Sequence, residues 1–177
     1  MRPLLFLDFD DVICVNSPYG CRTALGPNPP ADLHEKLWHA PAVQTLRAIL
    51  DEHEPSVVIT SSWLLLMNRQ RFETLFRSAG FHAVVDALHV AWEAPPDRGS
   101  RLQAIERWLD AHHTGEPLVI LDDTRSGTGL QGSRLDQAGC VVLCEQNIGL
   151  HAGHLPAVRA ALTNRGLLPP NAGEKNA

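Results

Sequence analysis

The sequence predicts a doubly wound α/β domain, a parallel sheet with helices on both faces, and three observations carry that expectation. Short apolar runs recur and end in acids or hydroxyls: Pro3 to Asp8, Ser56 to Thr60, and Leu118 to Leu121 followed by Asp122-Asp123. Segments of helical periodicity lie between them. Alternating strands and helices pack as a parallel sheet covered on both sides, and strands buried on both faces read as nearly continuous apolar runs.

Each element follows from local pattern. Pro3 to Asp8 is a buried strand whose carboxyl end meets solvent. Residues 16–40, with four prolines and two glycines, read as a long loop or flap. Pro41 suits the first turn of a helix on which Val43, Leu46, Ile49 and Leu50 share a face. Ser56 to Thr60 is the second strand, and Arg69 to Ala79 the second helix, with Phe72, Leu75 and Phe76 inward and Gly80 as its cap. A third short strand is expected within 83–91. Ser100 to His112 is a helix with Leu102, Ile105, Trp108 and Leu109 as its buried stripe. Leu118 to Leu121 is the fourth strand, GTGLQG (127–132) a mobile loop that gates the site, Cys140 to Cys144 the fifth strand, and 154–164 the last helix. The expected organisation is one domain over residues 1–165 and a flexible polar tail over 166–177.

Composition narrows the function classes. A hydrophobic share of 44% and a charged share of 20% are globular values. No apolar run approaches the roughly 18 residues that span a bilayer. The start, MRPLLFLDFDD, meets carboxylates too soon for a signal peptide, so the expected location is the cytoplasm. A formal charge of −5 gives no general footprint for nucleic acid, which wants a basic face. Thirteen of the 15 basic residues are arginine; Lys36 and Lys175 are the two lysines. The cysteines, Cys14, Cys21, Cys140 and Cys144, form no CxxC pair. Cys140 and Cys144 on one strand lie roughly 13 Å apart, too far to bridge. All four read as structural thiols.

Ligands of open α/β sheets bind beyond the carboxyl ends of the strands. Three predicted strands end there in Asp8-Phe9-Asp10-Asp11, Thr60-Ser61-Ser62 and Asp122-Asp123. Each alone is an ordinary turn or cap; together, in order and on one edge, they describe a site. Converging carboxylates repel, and a cation holds such a group together. Oxygen-only ligands point to Mg²⁺, which commonly bridges to a phosphate, so phosphoryl transfer is the natural chemistry.

The motifs LDFDDV, TSSW, RGSRLQAIERWL, VILDD and Gly149-Leu150 resemble, in that order, the haloacid dehalogenase (HAD) superfamily. Within it the closest resemblance is to the stand-alone HAD domains related to those in Swiss Army Knife RNA repair proteins, across about residues 4 to 164. The resemblance implies a Rossmann-like HAD fold and an Mg²⁺-dependent phosphohydrolase. Asp8 would attack phosphorus and form an aspartyl-phosphate. Asp10 would serve as general acid–base, with its main-chain carbonyl on the metal. Thr60 would hydrogen-bond a phosphoryl oxygen, and Asp122 and Asp123 would surround Mg²⁺, with the direct ligand left open between them. Ser61 and Trp63 beside Thr60 are substrate-binding candidates; Trp63 also reads as packing. Trp38 and Tyr19 in the 16–40 loop are stronger candidates for substrate contact.

The sequence departs from the HAD pattern in two places. The usual lysine of the third signature is missing, so Arg98 or Arg101 must supply its charge; Arg98 is taken as the catalytic candidate and Arg101 as substrate-binding. Where that family often has Gly after DxD, Asp11 stands here. His151 and His154 have ligand-like spacing but no third partner, and read as helix-start residues.

Neither interval between motifs holds a full cap domain. The resemblance therefore implies an open site for a phosphorylated substrate: a nucleotide, a nucleic-acid end or a small phosphomonoester. A partner subunit of the same kind is one way to supply a cap. A dehalogenase has no use for Asp10, because halide leaves without a proton. A two-component receiver domain would carry its phospho-acceptor on a middle strand and use a lysine. The remaining alternative is a degenerate HAD domain that binds a phosphorylated partner or nucleic-acid end without turnover.

Overall fold

The computed structural model describes residues 1–15, 18–96 and 99–164, with His34 by its backbone alone. Five strands, β1 (Leu4–Leu7), β2 (Ser56–Ile59), β3 (Leu88–Glu93), β4 (Leu118–Asp123) and β5 (Val141–Cys144), form one sheet in the order β3-β2-β1-β4-β5. Every pairing is parallel. This is the doubly wound α/β fold that the sequence predicts.

Strand alternation divides the core in two. Leu5, Leu7, Val57, Ile59, Val119 and Leu121 face one side. They meet α3 (Ala40–His53) through Leu46 and Ile49, α4 (Arg69–Ser78) through Phe72 and Phe76, and α8 (Leu155–Thr163) through Val158 and Leu162. Leu4, Phe6, Val58, Leu118 and Ile120 face the other side. They pack under α6 (Arg101–His112), where Trp108 stands edge-on to Phe6 at 5.1 Å. Sheet faces covered by helices on both sides explain why the strands carry no polar alternation.

Register positions the site. Leu7 pairs with Ile59 on one side and Leu121 on the other. The Asp8 amide then donates to Leu121 O (3.0 Å) and the Thr60 amide to Leu7 O (3.0 Å). Asp8, Thr60 and Asp122 therefore emerge level at the carboxyl edge. The chain runs outward from β1 to β2 and β3, then returns across β1 to β4 and β5, so β1/β4 is the switch point where such sheets bind ligands.

Helix α6 starts with a full capping box: Ser100 Oγ accepts the Gln103 amide (3.2 Å) while Gln103 Oε1 accepts the Ser100 amide (3.0 Å). Ser100→Ala is expected to cost about 1 kcal/mol in thermal denaturation, because one orphan helix donor loses its acceptor.

Several expectations need correction. The third strand expected within 83–91 forms, but β3 starts only at Leu88 and runs on to Glu93, and α5 (His82–Asp86) fills the first part of the segment. Val84 and Val85 dock a single helical turn into the core, and Ala87 O accepts the Val57 amide where the strand begins. A short apolar run does not reveal its period. The 16–40 stretch is more than a loop. It holds α1 (Cys21–Ala24) and α2 (Leu33–Lys36), and Ala24, Leu33 and Leu37 anchor it to the core. The expected tail, 166–177, lies outside the described residues. The described cysteines are unbridged, and burial pushes Cys21 and Cys144 up to about 12 and Cys140 up to about 11, as befits structural thiols. Among the described residues, no helix is long and apolar enough to cross a membrane.

Candidate active site

The site begins in the turn after β1. Phe9 O accepts the amides of Val12, Ile13 and Cys14, which folds the chain back sharply after Asp8. This turn needs a left-handed residue, and Asp11 takes it at φ 55°. Aspartate tolerates that conformation better than most residues, and here its Oδ1 also accepts the Asn147 amide (2.9 Å). The Gly-to-Asp departure thus ties the first motif to the loop before α8. Gly149 closes the same junction: a Cβ there would lie 3.0 Å from Val12 O, and its φ is +76°.

Asp8, Asp122 and Asp123 converge, each offering a carboxylate oxygen within 4.8 Å of the others. All three are buried. Arg101 lies between two of them, with Nη2 3.2 Å from Asp8 Oδ1 and Nε 2.7 Å from Asp122 Oδ2. The second approach pairs charge without hydrogen-bond alignment, so Asp122 Oδ2 remains without a hydrogen-bond partner. Thr60 Oγ1 and Arg101 Nη1 are also buried without one. Burial, then the Asp122 carboxylate, raises the Asp8 carboxyl well above the ordinary range, against the pull of Arg101. Burial likewise pushes Asp122 up to about 6.

One guanidinium among three buried carboxylates leaves a deficit of positive charge. Oxygen-only donors with partnerless buried acceptors suit a hard divalent cation, so the residues present fit Mg²⁺. The carboxylate of Asp10 stands apart from the three-carboxylate group.

Ser126, missed by sequence reasoning, joins the site. Its hydroxyl lies 3.2 Å from Asp8 Oδ2 and 3.4 Å from Asp122 Oδ1, and closest to Asp123 Oδ2. Asp123 Oδ1 accepts the amides of Arg125 (2.6 Å) and Ser126 (3.0 Å), which curls the loop back over the carboxylates. A hydroxyl three residues beyond an aspartate at a strand end is the signal that could have found it.

The GTGLQG loop departs from the expected mobile gate. Thr128 Oγ1 accepts the Arg101 amide (2.9 Å), Thr128 O accepts the Leu102 amide (3.1 Å), and Leu130 is fully buried. The loop moors the start of α6 and so helps place Arg101.

The other expected residues fall in distinct places. Arg98, the catalytic candidate for the missing lysine, lies outside the described residues; Arg101 is the described arginine that reaches Asp8. Helical phase was the available signal, since Arg101 heads the stripe of Ala104, Ile105, Trp108 and Leu109. Asp10 is half-buried and accepts the Trp63 indole N–H at Oδ2 (3.0 Å). Trp63 itself is fully buried, so no face is free to stack on substrate, which corrects its reading as a substrate contact. Ser61, also buried, accepts the Trp63 amide (3.4 Å) and starts the 3-10 turn Ser62–Leu65. Trp38 packs against Phe81 (4.8 Å) and Phe76 (5.2 Å), and the Tyr19 hydroxyl donates to Asp32 (2.7 Å). His151 and His154 cap the turn before α8, as expected of helix-start residues.

Fold and site together define an HAD-like α/β domain. The chain belongs to the family described as the HAD domain in Swiss Army Knife RNA repair proteins, which it matches over residues 4–155. No curated protein and no solved structure matches it.

Proposed function

We propose that the chain is an Mg²⁺-dependent phosphomonoesterase that works through an aspartyl-phosphate on Asp8. The observation that carries this reading is the convergence of Asp8, Asp122, Asp123 and Arg101 at the switch point of the sheet.

Asp8 attacks phosphorus, the Asp8 O–P bond forms and the ester P–O bond breaks. Asp10 gives its proton to the departing oxygen, then takes one from the water that attacks the aspartyl-phosphate and releases phosphate. Thr60, whose hydroxyl is buried without a partner, donates to a phosphoryl oxygen. Arg101 offsets charge on Asp8 and on the phosphoryl group in transfer. Mg²⁺, held by Asp8, Asp122 and Asp123 with the Asp10 carbonyl, would neutralise the carboxylates and the substrate phosphate. Ser126 hydrogen-bonds the same carboxylates and orients them.

The substrate class we favour is a phosphorylated nucleic-acid end. The family's description names RNA repair proteins, and the short intervals between motifs leave the site without a large cap domain. Nucleotides and small phosphomonoesters are the competing substrates, and the cytoplasm is the proposed location.

Hydrolysis of p-nitrophenyl phosphate with Mg²⁺ and with EDTA tests the reaction, and 5′- and 3′-phosphorylated RNA ends beside nucleotides test the class. Turnover that needs Mg²⁺ is expected. Binding of phosphorylated RNA without turnover would instead favour a degenerate binding module.

A second expectation concerns the metal-free protein. Asp122 is raised to about 6, so its favourable contribution to folding is complete below its ordinary value and lost as pH rises through about 6. Compared with Asp122→Asn, wild type should lose relative stability across that window in thermal melts, and Mg²⁺ should restore it. A pH-independent difference would refute the assignment.

A further inference from the structure

We propose that Trp63 is a positioning residue for the general acid–base, its indole N–H holding the Asp10 carboxylate in the rotamer that serves the leaving group. The inference deepens the phosphatase reading and rests on it. Trp63 Nε1 lies 3.0 Å from Asp10 Oδ2, across 53 residues of chain and between the ends of two neighbouring strands. An indole N–H only donates, so this oxygen is held as an acceptor.

The ring is immobilised before it reaches Asp10. Trp63 has no exposed surface; Phe9 packs against it edge-on at 5.4 Å and 89°, and Trp38 lies 6.3 Å away. Ser61 accepts the Trp63 amide and starts the turn that directs the indole toward the first motif. The other oxygen, Oδ1, has the Cys14 thiol at 3.7 Å, a weak donor that leaves Trp63 as the stronger of these two. Phenylalanine would fill most of the same aromatic space; the indole nitrogen is what packing alone does not require.

The consequence depends on the leaving group. An alkoxide needs the proton of Asp10 to depart, whereas p-nitrophenolate leaves without one. General acid catalysis contributes about 10²–10⁴-fold where it is needed, so a misplaced acid is felt mainly with alkyl esters. The test compares kcat/KM of wild type and Trp63→Phe on glycerol 2-phosphate and p-nitrophenyl phosphate with saturating Mg²⁺. The alkyl ester is expected to lose about tenfold or more beyond any loss on the aryl ester. Equal losses on both esters, or none, would overturn the positioning role.

A measurement on folded protein covers a Trp63→Phe chain that does not fold. The assigned indole ¹⁵N–¹H resonance of Trp63 is compared between wild type and Asp10→Ala. It is expected to move when the carboxylate acceptor is removed, and an unmoved resonance would overturn the contact. If wild type hydrolyses neither ester while the resonance still moves, the phosphatase reading has failed and the positioning role falls with it. If wild type is active and the losses are equal, only the positioning role has failed.

Discussion

Asp8→Asn is expected to lower phosphomonoester turnover by about 10⁴-fold or more, the scale seen when a nucleophile that acts within a catalytic unit is removed. The amide keeps the shape of the side chain and removes the attacking oxygen anion. Its effect on folding should have the opposite sign. Asp8 is buried beside Asp122, and both facts disfavour its ionised form, so loss of the charge relieves repulsion in the metal-free protein. Thermal melts with EDTA should show the variant at least as stable as wild type, with a smaller gain on adding Mg²⁺. An Asp8→Asn protein with full turnover would remove Asp8 from the mechanism.

Arg101→Ala is expected to destabilise the fold by about 3–5 kcal/mol, the cost of breaking a buried ion pair and leaving its partner uncompensated. Here two carboxylates, Asp8 and Asp122, lose their shared cation. Turnover should fall by about 10²–10³-fold if the protein is kept folded below its transition. Arg101→Lys retains charge but cannot span both carboxylates with one planar fork, and should recover part of each loss. Denaturant unfolding and p-nitrophenyl phosphate kinetics on Arg101→Ala and Arg98→Ala, side by side, read the assignment. A larger loss of turnover in Arg98→Ala would return the lysine's role to Arg98.

Much of this was legible because strand ends in a parallel sheet combine two signals. Leu4 to Leu7 and Leu118 to Leu121 are apolar on both faces, and acids that follow both of them at one edge point to a ligand where either alone would read as a turn. Register then needs no further information, since Leu7 opposite Leu121 brings Asp8 and Asp122 level. Within 83–91 the strand was legible but its start was not, because Val84 and Val85 bury equally well on a helical turn or a strand, and the tertiary slot put them on α5. Ser126 was hidden because its place depends on the loop curling around Asp123, a backbone event with no periodicity. The choice between Arg98 and Arg101 was open to helical phase, which alone puts Arg101 on the stripe of Ile105 and Trp108. The contact from Trp63 to Asp10 joins residues 53 apart and cannot be read from either motif.

The guanidinium at the centre of the site also decides which covalent chemistry can reach it. A lysine in that position would carry a primary amine, the group whose charge acetylation and amine-directed reagents abolish. Arg101 is exempt from both. The chain's two lysines are Lys36, which pairs with Asp32, and Lys175, which lies outside the described residues. Acylating reagents and amine-coupled surfaces should therefore modify or tether this protein through lysine while the guanidinium of Arg101 keeps its charge.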